Sequence, residues 1–260
     1  SGQLIVKRAT EIACAGRHNM IINGAPGTGK SMLAKAAVGL LPRLSAEECL
    51  EVTNLHSLVG SKFDEVITTP PFRAPHHTIS QAGLVGGGSF PQPGEVSLAH
   101  HGILFLDELP EFHRDVLEGL RQPLEEGVVH VARAKKTLSF PARFILAAAM
   151  NPCPCGFAND FRKQCFCTPP QIQRYMSKIS GPLMDRIDIR MVVSSPSVID
   201  FDPGGQIPES SSEIRQRVLA ARCSGNPAWP LRRPDRCWHR SNACYHRSGH
   251  RSGDAEVLRH

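Results

Sequence analysis

No stretch of the 260-residue chain approaches the ~20 consecutive apolar residues that a membrane helix needs. Nor does a basic segment followed by an apolar one open the sequence, so no secretory signal is visible. Without an export signal the expected compartment is the cytoplasm, and disulfides are the less expected use of the nine cysteines. A starting methionine is missing as well, as in a processed or excised fragment. What is present is ordinary for a soluble globular protein, with 41% hydrophobic and 21% charged residues. The length admits one large domain, or a core with a small accessory one.

Charge is unevenly spread. The net charge is +6, but the segment from Cys223 to His260 holds seven Arg and no Lys against Asp235, Asp254 and Glu256. Most of the basicity therefore belongs to the tail and says little about nucleic-acid binding by the folded part. That tail also holds both tryptophans, a repeated Arg-Ser-Gly, and no heptad, alternation or capping pattern. Residues 223–260 read as an aberrant terminus, such as a shifted reading frame, or as a disordered basic tail.

The informative element is the octapeptide Gly24-Ala25-Pro26-Gly27-Thr28-Gly29-Lys30-Ser31. It follows the apolar run Met20–Ile22 and precedes a helix-like stretch, Ser31–Leu41, that Pro42 closes. Strand, glycine loop and helix in that order form the context of a phosphate-binding P-loop. Glycines let the backbone curl so that successive N–H groups face a polyanion. Lys30 is then placed to reach the β- and γ-phosphates, and the Ser31 hydroxyl to hold Mg²⁺. The pattern predicts binding of a nucleoside triphosphate with Mg²⁺.

Alternating strand-like and helix-like segments fill the first two-thirds. Cys49–Thr53 reads as a second strand, Thr69–Gly94 as an irregular insertion rich in Pro, Gly, His and Ser, and Gly102–Leu106 as a buried strand. Arg114–Glu125 has helical character. Val128–Val131 and Thr137–Phe140 flank a plausible hairpin tip carrying Arg133, Lys135 and Lys136. Phe144–Ala149 and Ile187–Val193 read as further strands. Continuously apolar strands separated by helices predict an α/β fold with a parallel sheet covered on both faces. The expected division is a core over 1–193, with an insertion over 69–101 and a Cys-rich loop over 152–168. A linker with a helix beginning at Glu213 spans 194–222, and the basic tail follows.

Asp107 and Glu108 close the apolar run 102–106. An acid at the C-terminal end of a buried strand beside the P-loop strand is placed to hold the Mg²⁺ shell, and Glu108 to act as general base. Asn151 ends the next strand, where its amide can orient the lytic water or merely cap a turn. Cys153 and Cys155 are followed, after nine intervening residues, by Cys165 and Cys167, a quartet that can surround one Zn²⁺ or remain as free thiols or a redox pair. The His76-His77 and His100-His101 pairs are poorer ligand candidates, because neighbouring side chains in an extended loop point opposite ways.

Several motifs go beyond a generic P-loop: RAPHHTISQAGLVGGG (73–88), PGEVSLAHHGILFLDELPEF (93–112), AAMNPCPCG (148–156) and QIQRY with KISGPLMDRIDI (171–189). Together with GAPGTGKS (24–31), the chain from Gly2 to Arg222 resembles the AAA+ ATPases of the magnesium-chelatase-like group. The resemblance implies a three-layer αβα P-loop NTPase core with a helix-2 insertion and a hairpin before sensor 1. Asp107 and Glu108 become Walker B, Asn151 becomes sensor 1, and Arg186 matches an arginine finger reaching a neighbouring subunit's nucleotide. From the residues alone, the favoured reading of Arg186 is a surface ion pair with Asp185 or Asp188.

By the same resemblance the active form is a ring, expected to be hexameric, that hydrolyses ATP and acts on single-stranded or branched DNA, as a branch-migration helicase does. A chelatase-type motor that remodels a protein partner is the alternative. So is a truncated fragment that binds nucleotide without turnover, since relatives carry a domain ahead of Gly2 and a helical lid past Arg222.

Overall fold

The structure, a computed structural model, describes residues 4–60, 65–88, 91–133, 136–158, 160, 163–193 and 209–224. Helix α1 (Leu4–Gly16) buries Val6, Ala13 and Cys14 and leads into β1 (Met20–Gly24). Next come α2 (Lys30–Val38) and α3 (Ala46–Ser57). The expected strand at Cys49–Thr53 is therefore helix. Its β-branched residues mislead, whereas Cys49, Val52, Leu55 and His56 are buried at helical spacing. The helix starts at a capping box: the Ser45 hydroxyl accepts from Glu48 N–H at 3.3 Å, and Ser45 N–H donates to the Glu48 carboxylate at 2.8 Å.

The insertion is more ordered than its composition predicts. It holds β2 (Phe72–Arg73), α4 (Gln81–Val85), the short hairpin of β3 (Gly86–Gly87) with β4 (Gln92–Pro93), and α5 (Glu95–Leu98). Arg73 forks onto Glu95 through two hydrogen bonds of 2.5 and 2.6 Å and so ties β2 to α5. β5 (Ile103–Leu106) is followed by α6 (Arg114–Glu118) and α7 (Arg121–Glu126), where a single helical stretch was expected; Gly119 and Leu120 interrupt it. β6 (Val128–Arg133) and β7 (Lys136–Pro141) form the expected antiparallel hairpin, although Lys135 lies outside the described residues. β8 (Ile145–Met150), α8 (Pro169–Met176), α9 (Gly181–Met184), β9 (Ile189–Val193) and α10 (Ser211–Ser224) complete the chain.

The strands β2-β5-β8-β1-β9 form one sheet in that order, each pairing parallel with its neighbours. Alternate residues feed two cores on opposite faces, as the period of a strand requires. Leu104, Leu106, Leu146 and Ala148 enter one, while Ile103, Phe105, Ile145 and Ala147 enter the other. Asn19 fastens the N-terminal ends of three strands. Its side-chain oxygen accepts from Leu146 N–H at 2.9 Å, its amide donates to the Arg186 carbonyl at 2.9 Å, and its own carbonyl accepts from Ile189 N–H at 3.0 Å.

The helix expected from Glu213 is α10. It packs on α1 through fully buried Val218, and Arg217 bonds the Glu11 carboxylate at 2.7 Å. Burying one such valine stabilises by about 1.5–3 kcal/mol. The linker over 194–208 and the tail over 225–260 lie outside the described residues, and no described helix is long and apolar enough to cross a membrane.

Candidate active site

β1 delivers the chain to the site at Gly24. Gly27 and Gly29 then take left-handed backbone, with φ of 80° and 83°, and α2 begins at Lys30. A side chain at either glycine would cost about 1–2 kcal/mol for that backbone alone. Beside Gly27 the position of an added Cβ meets no atom within 4 Å, so the curled loop has an open side. Thr28 closes the turn from within, its hydroxyl donating to the Ala25 carbonyl at 2.9 Å.

Three acceptors surround the Lys30 ammonium: the carbonyls of Gly24 at 2.6 Å and Ala25 at 3.0 Å, and Asn151 Oδ1 at 3.2 Å. Burial lowers the pKa of Lys30, against the opposing pull of the Asp107 and Glu108 carboxylates. Beside it, the Ser31 hydroxyl donates to Asp107 Oδ2 at 2.6 Å.

Strand register explains these meetings. Leu106, the last residue of β5, stands opposite Ala148, and Met150, the last of β8, opposite Asn23 of β1. The loops leaving all three strands therefore open at one edge, which brings Asp107, Asn151 and the glycine loop together. Glu108 occupies left-handed backbone (φ 51°), and its N–H donates to Asp107 Oδ1 at 2.9 Å. A non-glycine residue held there is strained, a feature that concentrates at functional sites. His77 from the insertion stands with Nδ1 3.5 Å from Glu108 Oε2, its ring edge-on to Phe112. The sequence marks His77 only as half of a weak ligand pair; its place beside Glu108 comes from tertiary folding.

Arg186 lies elsewhere. Its carbonyl is held by Asn19, before β1 begins, while the glycine loop leaves the far end of that strand. Its guanidinium pairs with Glu125 of α7 and donates to the Pro182 carbonyl at 2.5 Å. The expected partners Asp185 and Asp188 are not the ones it takes in these contacts; Asp188 accepts from Asn19 N–H at 2.9 Å instead.

The four cysteines after β8 converge, with all four Sγ atoms within 4.8 Å of one another. The histidine pairs depart from expectation. Rings of His76 and His77 lie 4.0 Å apart, and those of His100 and His101 3.8 Å apart, so each pair faces one way. In the second pair His101 has φ of 60°, which breaks the extended backbone that would have separated them. Both donate through Nε2 to one Glu51 oxygen, at 3.0 and 2.8 Å, and His100 Nδ1 accepts from Arg143 N–H at 3.0 Å. Burial pushes His100 down to about 4 and His101 to about 3.

A parallel sheet in this order, with a left-handed glycine loop between its strand β1 and the following helix and an acid pair closing β5, defines a P-loop NTPase of the AAA+ type. Within that class the chain belongs to the magnesium chelatase family: the family profile described as "Magnesium chelatase, subunit ChlI" matches residues 1–200. It is 47% identical to the uncharacterized protein YifB of Escherichia coli over 85% of this chain and 44% of that protein. It is 46% identical to the competence protein ComM of Haemophilus influenzae over 85% of this chain and 43% of that one. To the magnesium-chelatase 38 kDa subunit of Rhodobacter capsulatus it is 24% identical, over 78% and 61% respectively. The chain thus spans less than half the length of its more similar relatives.

Proposed function

We propose that the chain binds ATP in the cradle of residues 24–31 and hydrolyses it, as one subunit of a hexameric ring that moves on single-stranded or branched DNA. The observation that carries this reading is the pair of contacts Ser31–Asp107 and Lys30–Asn151, which join three strand ends at one edge of the sheet. A backbone curled through two left-handed glycines turns successive N–H groups toward a common centre, where phosphate oxygens fit. The positive end of α2 favours the same charge.

Ser31 and Asp107 offer hydroxyl and carboxylate oxygens that already meet at 2.6 Å, a donor set suited to a hard cation. They would hold Mg²⁺, which when bound neutralises charge on the β- and γ-phosphates. Lys30 binds the same phosphates with its ammonium. Glu108 takes a proton from the water that attacks the γ-phosphorus as the bond to the ADP oxygen breaks, and the Asn151 amide orients that water. Through its contact with Glu108, His77 steadies the carboxylate.

Arg186 cannot serve the nucleotide of its own subunit, because the five residues of β1 put about 16 Å between Asn19's end of the strand and the loop. Its role as a finger belongs to the nucleotide of a neighbour, where it stabilises charge in the transition state. That requirement supports the ring.

For DNA, the support is the relative named a competence protein and the basic residues Arg133, Lys135 and Lys136, taken as phosphate contacts. The chelatase-type reading, in which the ring remodels a protein, has the 24% identical relative in its favour and ranks second on that lower identity. ATPase rates with and without single-stranded and forked DNA, measured alongside oligomer mass, test the proposal. DNA-stimulated turnover by a ring is expected. Turnover in a ring indifferent to DNA favours the protein-remodelling reading, and a monomer without turnover contradicts both.

A further inference from the structure

Between β8 and α8 the chain runs through a segment that forms neither helix nor strand among its described residues. Phe166, near its end, is 83% exposed. What the segment does contain is four thiols gathered in one place. Sγ of Cys153 lies 3.3 Å from that of Cys155 and 3.7 Å from that of Cys165, and Cys155 lies 3.5 Å from Cys165. All four cysteines are free, and Cys153 is fully buried.

A tetrahedral ion with four sulfur ligands at about 2.3 Å sets its sulfurs about 3.8 Å apart, close to the 3.3–3.7 Å separations here, and all four lie within 4.8 Å of one another. An iron–sulfur cluster spreads its cysteines further, since they bind different iron atoms. A main-chain donor also points at the sulfurs: Cys167 N–H donates to Cys165 Sγ at 3.4 Å. Such N–H donors stabilise thiolates, the form in which cysteine binds a metal.

We infer that Cys153, Cys155, Cys165 and Cys167 bind one Zn²⁺, and that this closed site braces Asn151 and the glycine loop from behind. Three contacts carry the bracing. Cys153 stands two residues beyond Asn151. Gly156 (φ 86°) lies so close to the glycine loop that an added Cβ would meet Pro26 at 2.7 Å. Cys167 adjoins the start of α8, whose buried Tyr175 is hydrogen-bonded through its hydroxyl to the main chain of Asn151. The metal therefore ties the end of β8 to the start of α8, with Asn151 held between them. Zinc suits the task because it is redox-inert and takes four thiolates in a closed structural site. Metal binding stands on the sulfur geometry alone, while the bracing concerns the nucleotide site proposed above.

Metal analysis of the purified chain tests the first part without any nucleotide. One zinc per chain is expected, and Co²⁺ exchanged into the site should show the absorption of a tetrahedral thiolate complex. Cys167→Ala should weaken zinc binding beyond the ~10- to 100-fold that follows loss of an outer partner, while Cys167→His, which restores a ligand, should keep it. Absence of zinc, iron in its place, or unchanged binding in Cys167→Ala overturns the site. Amide hydrogen exchange before and after stripping by a chelator tests the bracing. Faster exchange over 151–156 and at the start of α8, with β5 unchanged, is expected; identical exchange overturns the brace even if zinc is present.

Discussion

Lys30 Nζ donates to Asn151 Oδ1 at 3.2 Å, joining the first turn of α2 to the end of β8 across 121 positions of sequence. The bond places Asn151 beside the glycine loop, in the proposed nucleotide site. Asn151→Ala should lower turnover by up to about 100-fold, the cost of a misplaced reactant, and leave nucleotide affinity nearly intact because the Gly24 and Ala25 carbonyls still anchor Lys30. Separate measurements of kcat and nucleotide Kd check this; an equal loss in both contradicts it.

In the proposed mechanism Glu108 is the base and His77 acts through it. Glu108→Gln should bind ATP normally and lose roughly 100- to 10,000-fold in kcat, the range for a general base. His77→Ala removes a neighbour 3.5 Å from the carboxylate and should cost about tenfold, or ~1.4 kcal/mol. If His77 acts only through Glu108, the double variant should be no slower than Glu108→Gln alone.

The buried histidine pair predicts a pH dependence of stability. Burial holds His100 near 4, against about 6.5 in the unfolded chain. Between those values the unfolded chain binds more protons, so stability is complete above about pH 6.5 and declines as pH falls toward 4. His100 alone should remove about 2 kcal/mol between pH 7 and pH 5. Denaturant unfolding at the two pH values checks it: His100→Gln should show a clearly smaller loss over that interval than the unaltered chain, and an equal loss contradicts the account.

Helix α3 offers a test of local structure. Ser45→Ala removes the hydroxyl that accepts from Glu48 N–H and should destabilise the chain by ~1 kcal/mol, measured by denaturant unfolding. Unchanged stability would mean that the cap contributes nothing.

These cases also mark where the sequence was legible. β1, β5 and β8 could be read because each is a short apolar run ended by a polar residue, and their parallel pairing brings Gly24, Asp107 and Asn151 to one edge. α3 was misread because Val52 and Thr53 favour strands, although Ser45 and Glu48 already spelled a capping box. The contacts of His77, Gly156 and Tyr175 stayed hidden for another reason. Their partners Glu108, Pro26 and Asn151 lie in distant segments, and nothing local encodes such contacts. The facing rings of His100 and His101 depended on one backbone angle, that of His101, which no composition rule predicts.

The account rests most heavily on Lys30 and on the oxygen pair of Ser31 and Asp107. Titration of a non-hydrolysable ATP analogue, with and without Mg²⁺, into the unaltered chain and into Lys30→Ala tests it most directly. Tighter binding with Mg²⁺, and a loss of roughly 10- to 100-fold in Lys30→Ala, the value of one charge-assisted hydrogen bond, are predicted. Equal affinity in the two proteins, or binding indifferent to Mg²⁺, would contradict it.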